Sequence, residues 1–348
     1  MTTPLTIEQI AQIAQVSRST VSRVLNNHPS VRPAVRDRVL RVMQEHNYAP
    51  QAAARSLASS RTNTLGLLVP RSAPVTFTDP FISTMIQSLI AACNNMGYFL
   101  ILAMVTADME PSFYNRLLRG RHFDGIIMLS SDIDDPILPL LIKDRVPLVL
   151  IGSHPYFQEH LISVDVENRE GARQATAHLI GLGHRRIAAI NGQMEMDAAI
   201  ARRDGYKQAL LEAGIAISPE LLVDGYYSDE GGYQAMHRLL NLPQRPTAVF
   251  AASDMMAIGA LRAIHDAGLI VPDDVALVGF DDLPIALYAN PPLTTVHQPI
   301  TELCAAAVKS LIDQIKNQRS AAPFRLPTSL VIRGSCGASL PRAGQKGG

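Results

Sequence analysis

The chain has 348 residues, 47% of them hydrophobic and 18% charged, enough apolar material for more than one core and too much for global disorder. Its formal net charge is zero, yet residues 1–61 hold eight arginines, no lysine and three acids, a net of +5 against −5 for the remainder. No apolar run approaches the roughly 18 residues of a membrane-crossing helix, and the start MTTPLTIEQI lacks the basic and apolar segments of a secretory leader, so a cytoplasmic chain with no membrane partner is expected.

The first predicted helix starts at Thr6, an N-cap with Gln9 at the capping-box position, and carries Ile7, Ile10, Ala11 and Ala14 as its apolar stripe. A short connection at Gln15 and Val16 leads to Ser17, which caps a second helix. At about 100° per residue, Arg18, Ser19, Ser22 and Arg23 fall on one arc and Val21, Val24 and Leu25 on the opposite one. A third helix begins near Pro33, with Val35, Val39, Val42 and Met43 on one side. Helix, tight turn, helix and a supporting helix is the helix-turn-helix plan, whose second helix enters the major groove. A small basic segment on a larger acidic body agrees with a DNA-binding headpiece. On this plan Arg18, Ser19 and Arg23 face base edges, and Thr6, Thr20, Ser22 and Asn26 bond phosphates, which sets register without reading sequence.

From Thr64 the chain alternates short apolar runs with helical stretches. LGLLVP, YFLILAMV, DGIIMLSS and PLVLIG read as buried parallel strands, and the pattern repeats after residue 160 with RIAAING, TAVFAAS and DVALVGFD. Two such series predict two doubly wound α/β lobes with a cleft at the carboxyl ends of the strands. Arg202 and Arg203 follow RIAAINGQ, Asp281 ends VALVGFD, Tyr227 follows LLVDGY, and FTDPF offers Phe77, Asp79 and Phe81. Each has a plainer reading: Asp281 as a strand-end cap, Arg202 as a surface charge, Phe77 and Phe81 as lobe core. Asp254, after AVFAAS, reads as an N-cap that also lies near the cleft.

No catalytic constellation is present. GxGxxG, GxxxxGK[ST], HExxH and GxSxG are absent, and the ten histidines form no metal-spaced pair. Cys93, Cys304 and Cys336 are isolated, which fits reduced thiols and neither a disulfide framework nor a zinc site. No enzyme activity, cofactor or metal is expected.

The run TIEQIAQIAQVSRSTVSRVLNNHPSV, followed by VLRVMQEHNYAPQAAARSLASSRT, resembles the headpiece and hinge of the lactose-repressor (LacI/GalR) family of bacterial transcription regulators, through a VSxxTVSRVLN core and an NYxPxxxARxLxxxxT tail. The resemblance places Arg18 and Ser19 where operator choice is made and Arg23 at the common base contact. It makes Gln51 to Ala58 a hinge helix that pairs with its copy across a dimer in the minor groove, with Arg55 among the DNA contacts and Leu57 wedged into the central base step. Alone, a helix of that length falls below the roughly 12–15 residues needed in water, so it should be frayed until something orders it. Two residues depart from the family pattern. Gln15 stands where glycine is usual, at a cost on the order of 1 kcal/mol if it is left-handed, and Arg32 stands where a small hydroxyl usually caps the third helix.

For the body, the resemblance implies the two-lobed, type I periplasmic-binding-protein-like fold. The chain would then divide into a headpiece (1–50), a hinge and linker (51–61), an N-lobe (62–162 with 292–323), a C-lobe (163–291 with 324–337) and a flexible tail (338–348). It also implies that Arg202 and Asp281 hold an effector and that Tyr227 packs on it, with Phe77, Asp79, Phe81 and Asp254 as further effector contacts. A guanidinium and a carboxylate beside an aromatic plate suit a sugar with adjacent hydroxyls and one apolar face. The expectation is therefore a sequence-specific regulator, a repressor of a carbohydrate operon, binding a pseudo-palindromic double-stranded operator as a homodimer. The tail has no leucine heptads to make a tetramer. A purine corepressor on the same fold is the near alternative, and a sugar-transport protein the far one. Leu57→Ala should weaken specific operator binding in a gel-shift titration while effector affinity stays nearly unchanged; equal operator affinity in the variant would rule out the hinge reading.

Overall fold

The computed structural model describes residues 5–25, 28–46, 48, 61–69, 79–104, 122–130, 132–316 and 324–338. The chain forms two units, Met1–Thr62 and Asn63–Gly348, taken here in turn.

In the first unit α1 (Ile7–Ile13), α2 (Arg18–Leu25) and α3 (Pro33–Glu45) enclose a core of Ile10, Ala11, Ala14, Val21, Val24, Val39 and Val42. The apolar arcs read from the sequence are the faces that meet. Thr6 Oγ1 accepts the Gln9 amide at 3.4 Å and Gln9 Oε1 accepts the Thr6 amide at 2.8 Å, so two orphan donors of the first turn are satisfied reciprocally. Ser17 Oγ accepts the Thr20 amide at 3.2 Å and starts α2. The turn between them passes through Gln15 with φ of 52°, the left-handed conformation in which an L side chain is strained. The Val16 amide donates to the Ala11 carbonyl at 3.0 Å and holds the turn closed. Arg32 precedes α3 without a side-chain cap bond, and Pro33 takes the first helical position, where its missing N–H costs nothing.

The second unit contains two six-stranded sheets. One joins β1 (Thr64–Val69), β2 (Phe99–Met104), β3 (Gly125–Leu129), β4 (Leu148–Ile151), β5 (Ile162–Val166) and β11 (Phe324–Leu326) in the order β11-β5-β4-β3-β1-β2, all parallel. The other joins β6 (Ile187–Asn191), β7 (Leu222–Asp224), β8 (Ala248–Ala251), β9 (Ala276–Asp281), β10 (Thr294–His297) and β12 (Ser329–Val331) in the order β12-β10-β9-β8-β6-β7. Only β12 runs antiparallel to its neighbour. Side chains of β1 alternate between faces. Leu65, Leu67 and Val69 join one core with α4 (Pro80–Asn95) and α11 (Ile300–Ile315), while Leu68 joins a second with α5 (Ile137–Lys143). The second lobe has a single core centred on β6, β8 and β9, with Tyr206, Phe250 and Phe280 fully buried.

The lobe boundaries differ from those expected at 163, 291 and 323. β5 pairs with β4, so the first crossing comes after Val166; β10 pairs with β9, so the second comes after His297; and β11 pairs with β5, so the third comes after Leu326. The physical reason is long-range pairing, because sheet membership is decided by a partner strand far away in the chain. The hinge helix expected at 51–58 and the tail after Ala338 lie outside the described residues.

Gln15→Gly should raise the stability of the headpiece by up to about 1 kcal/mol, read from its transition in chemical denaturation of the full chain. Gln15→Val should lower it, because a β-branched residue tolerates this φ least.

Candidate functional site

The polar arc of α2 lies on the surface. Arg18, Ser19 and Arg23 are exposed, Thr20 and Ser22 are half-buried, and Val21 and Val24 are buried beneath them. Ser17 Oγ holds both Ser19 Oγ at 2.8 Å and Thr20 Oγ1 at 2.9 Å, which orders the hydroxyls of the first turn. Thr6, next to α1, keeps its hydroxyl exposed as well. One partner went unread in the sequence: Glu8 of α1 pairs with Arg18 at 3.1 Å. Both side chains are largely in water, where such a pair contributes little to stability. Asn26, Arg55 and Leu57 lie outside the described residues.

In the body, a cleft with about 900 Å³ of empty space opens between the lobes at the carboxyl ends of the strands. The N-lobe contributes Asp79, Phe81, Ser130, Ile151 and Asp165, and the C-lobe Asn168, Gln193, Arg202, Tyr227, Met255 and Asp281, with Gln298 at the second crossing. Arg202, on α7 (Asp197–Glu212), is only 5% exposed. Its Nε donates to Asn168 Oδ1 at 2.8 Å, and one terminal nitrogen donates to the Ala252 carbonyl at 2.6 Å and reaches Asp281 Oδ1 at 3.4 Å. The guanidinium carbon lies 3.8 Å from the Phe280 ring centroid and 5.9 Å from that of Tyr227. Stacking and pairing together hold the charge where desolvation would otherwise be prohibitive.

Asp281 ends β9 with φ of 123° and accepts Gln298 Nε2 at 2.6 Å. Burial pushes its carboxyl up to about 6, against the pull of Arg202 and the hydrogen bond from Gln298. The Tyr227 ring lies over Gly192, where any Cβ would collide with it. Tyr226 and Tyr227 are both left-handed, with φ of 53° and 55°, and the buried Tyr227 hydroxyl has no hydrogen-bond partner among the described residues. Burial pushes that phenol up to about 12, so it stays a donor at neutral pH. The strained backbone thus sets a hydroxyl without a partner among the described residues in a residue that lines the cleft.

Asp79 lines the cleft while capping α4, accepting the Phe81 amide at 2.9 Å, and burial raises its carboxyl. Phe81 serves both readings, since it lines the cleft and packs on the N-lobe core. Phe77 lies outside the described residues. Asp254 is a correction. The cap of α9 (Asp254–Asp266) is Ser253, whose Oγ accepts the Met256 amide at 3.2 Å. The Asp254 carboxylate turns away from the cleft wall to accept the Leu283 amide at 2.8 Å and Thr295 Oγ1 at 2.5 Å. Burial and the nearby charge of Asp281 push it well above the usual carboxylate range. It braces β9 and β10 from behind, in space left open by Gly279. Asp165, Asn168 and Gln298 went unread because β5 and β10 are short and partly polar; the rule that ligands meet strand ends would have found them once those strands were placed.

Gly192→Ala should cost about 1–3 kcal/mol by driving the Tyr227 ring out of place, and should cost almost nothing when made in Tyr227→Ala. Denaturation of the four chains measures the coupling.

A model of bacterial regulatory proteins of the lacI family matches residues 6–51, and a periplasmic binding protein-like domain matches residues 176–336. The transcriptional regulator CelR of Thermobifida fusca is 39% identical over 333 residues, 95% of this chain and 98% of that protein; a CelR–cellobiose complex has a TM-score of 0.74 at 37% identity, covering 95% of this chain and 99% of that one. The repressor PurR of Photobacterium profundum is 35% identical over 95% of this chain and 98% of that protein. The lac repressor dimer bound to operator and the anti-inducer ONPF has a TM-score of 0.83 at 28% identity, over 96% of this chain and 99% of that one. A helix-turn-helix headpiece followed by two parallel-sheet α/β lobes is the architecture found here and matched by these proteins. The chain belongs to the lacI family of bacterial regulatory proteins and is a DNA-binding transcriptional regulator, not an enzyme.

Proposed function

We propose that the chain represses a carbohydrate-utilisation operon as a homodimer, and that a neutral sugar held between the lobes sets its affinity for a pseudo-palindromic operator. The observation that carries this reading is the Arg202–Asp281 pair with Tyr227 beside it. The carboxylate accepts two vicinal hydroxyls, the cation donates to ring or hydroxyl oxygens, and the aromatic ring covers an apolar sugar face. Arg202 is the one cation among the described lining residues and Asp281 already pairs with it, which disfavours phosphorylated sugars and other anions. The similarity to CelR, solved with cellobiose, supports a sugar of this kind. The similarity to PurR keeps a purine corepressor as the second reading, since Tyr227 would stack on a base equally well.

A second copy is supported by apolar surface. Phe99 is 71% exposed and Ile101 45% on β2, an edge strand, beside exposed Ile90 and Met96; on the other lobe, α10 (Pro284–Tyr288) leaves Leu287 and Tyr288 exposed. An open strand edge with large apolar side chains is a site for another chain. In the proposed mechanism, effector binding favours one lobe arrangement and so changes how the paired headpieces fit the operator.

A gel-shift titration against the DNA upstream of the chain's own gene, with calorimetry against neutral sugars, sugar phosphates and purines, tests the reading. Release of a specific complex by a neutral sugar is expected, and binding of purines alone would overturn it. Sugar affinity should fall as pH drops below about 6, by up to tenfold per unit, because protonated Asp281 can no longer accept two hydroxyls. Arg202→Lys should weaken binding tenfold or more, since an ammonium cannot replace the planar fork.

A further inference from the structure

Where the two lobes touch at the rim of the cleft, three side chains form a contact from one lobe to the other. The Ser153 hydroxyl, just after β4 in the N-lobe, lies 3.0 Å from Asp165 Oδ2 of β5. It also touches Oδ2 of Asp197, the first residue of α7 in the C-lobe. Beside it the lobes are joined through backbone: the Ile133 amide donates to the Glu195 carbonyl at 2.9 Å, and Asp132 and Met196 form an antiparallel bridge. A serine hydroxyl has one proton to donate. If both carboxyls were ionised, one of them would face the hydroxyl oxygen with lone pair against lone pair. The contact closes only when one carboxyl keeps its proton and gives it to Ser153 Oγ, while Ser153 donates to the other.

The groups around it decide which carboxyl that is. Asp165 is 7% exposed, and its Oδ1 already accepts the Val166 amide at 2.8 Å and Asn168 Nδ2 at 3.0 Å, which leaves Oδ2 to carry the proton. Burial raises this carboxyl, against the bond from the Val166 amide and the charges of Arg325 and Arg202. Arg325 is its register partner on β11, Arg202 approaches from α7, and Tyr227 shares its field on the cleft side. Glu167, Arg169 and Glu170, with Gln208 of α7, line the groove behind it. Asp197 is the first residue of α7, across the contact on the other lobe.

We propose that Ser153, Asp165 and Asp197 form a latch that closes the lobes with uptake of one proton. In the closed form burial raises the Asp165 carboxyl; when the lobes part, water reaches it and that cause is lost. Closure is therefore fully favoured below the open-form titration, weakens by up to tenfold per pH unit between the two, and levels off above the closed-form one. Asp165 also lines the cleft, so the test is made without sugar or DNA, where failure of the latch leaves the sugar reading standing.

Hydrogen exchange of the full chain, without DNA or sugar, tests it between pH 5 and 8. Protection of the segment around Ile133 is corrected for intrinsic exchange and compared with β8 as an internal control. Wild-type protection should fall at least tenfold as pH rises. Asp165→Asn keeps the Oδ1 acceptor and places an N–H where the proton would sit, so it should stay protected with no pH dependence. Ser153→Ala should be weakly protected throughout. A flat wild-type profile, or an Asp165→Asn chain that opens like Ser153→Ala while β8 stays protected, would overturn the latch. Should β8 also open in Asp165→Asn, the wild-type profile alone decides.

Discussion

A guanidinium that water barely reaches must be answered by the protein itself, and the cleft is organised around that demand at Arg202. Its partners come from separate elements: Asn168 from the start of α6 (Asn168–Gly181), a carbonyl just past β8, and Asp281 from the end of β9, with the Phe280 ring beneath. Removing any one of them would leave buried charge or an unmet donor, which costs far more than an exposed pair contributes. The arrangement thus draws the ends of several strands to one point and fixes their polar atoms before a ligand arrives. Preorganisation of this kind lowers the ordering cost of binding.

Backbone strain gathers at the same place. Ser130, Tyr227 and Asp281 all line the cleft, and all have positive φ, at 59°, 55° and 123°. Conformations like these cost on the order of 1–3 kcal/mol each and persist only where surrounding structure enforces them. For Asp281 the enforcement is visible: Gln298 holds its carboxyl, and Asp254 braces the strand from behind through Thr295 and Leu283. The two acids therefore divide the work, one facing the cleft and the other supporting it.

Much of this was legible in the sequence where the cause is local. The Thr6–Gln9 box, the Ser17 cap, the two arcs of α2 and the continuously apolar strands depend on residues close in the chain. Arg202, Tyr227 and Asp281 were legible as strand-end residues, through the resemblance that gave them roles. What escaped depends on distant partners. β5, β10 and β11 are short, and pairing alone assigns them to a sheet. Asp165, Asn168 and Gln298 become cleft residues only after that assignment. Ser253 and Asp254 are adjacent and equally fit to cap α9; the buried Thr295 hydroxyl, 41 residues away, draws the carboxylate inward and leaves the cap to serine.

The three crossings between lobes also govern the order in which the chain can be built during synthesis. The N-lobe core needs Leu303, Cys304, Ala307 and Leu311 of α11, and its sheet edge needs β11. All of these emerge from the ribosome after the strands β6 to β10 of the C-lobe. A nascent chain therefore holds an unfinished N-lobe, with one face of its sheet covered by α4 without α11, for the time needed to make more than a hundred further residues. The C-lobe needs from that late segment only its short antiparallel edge strand β12 and the turn around Ser335 and Cys336. The lobe that begins first is the one that finishes late, and that interval is when the growing polypeptide is most exposed to aggregation and to chaperone capture.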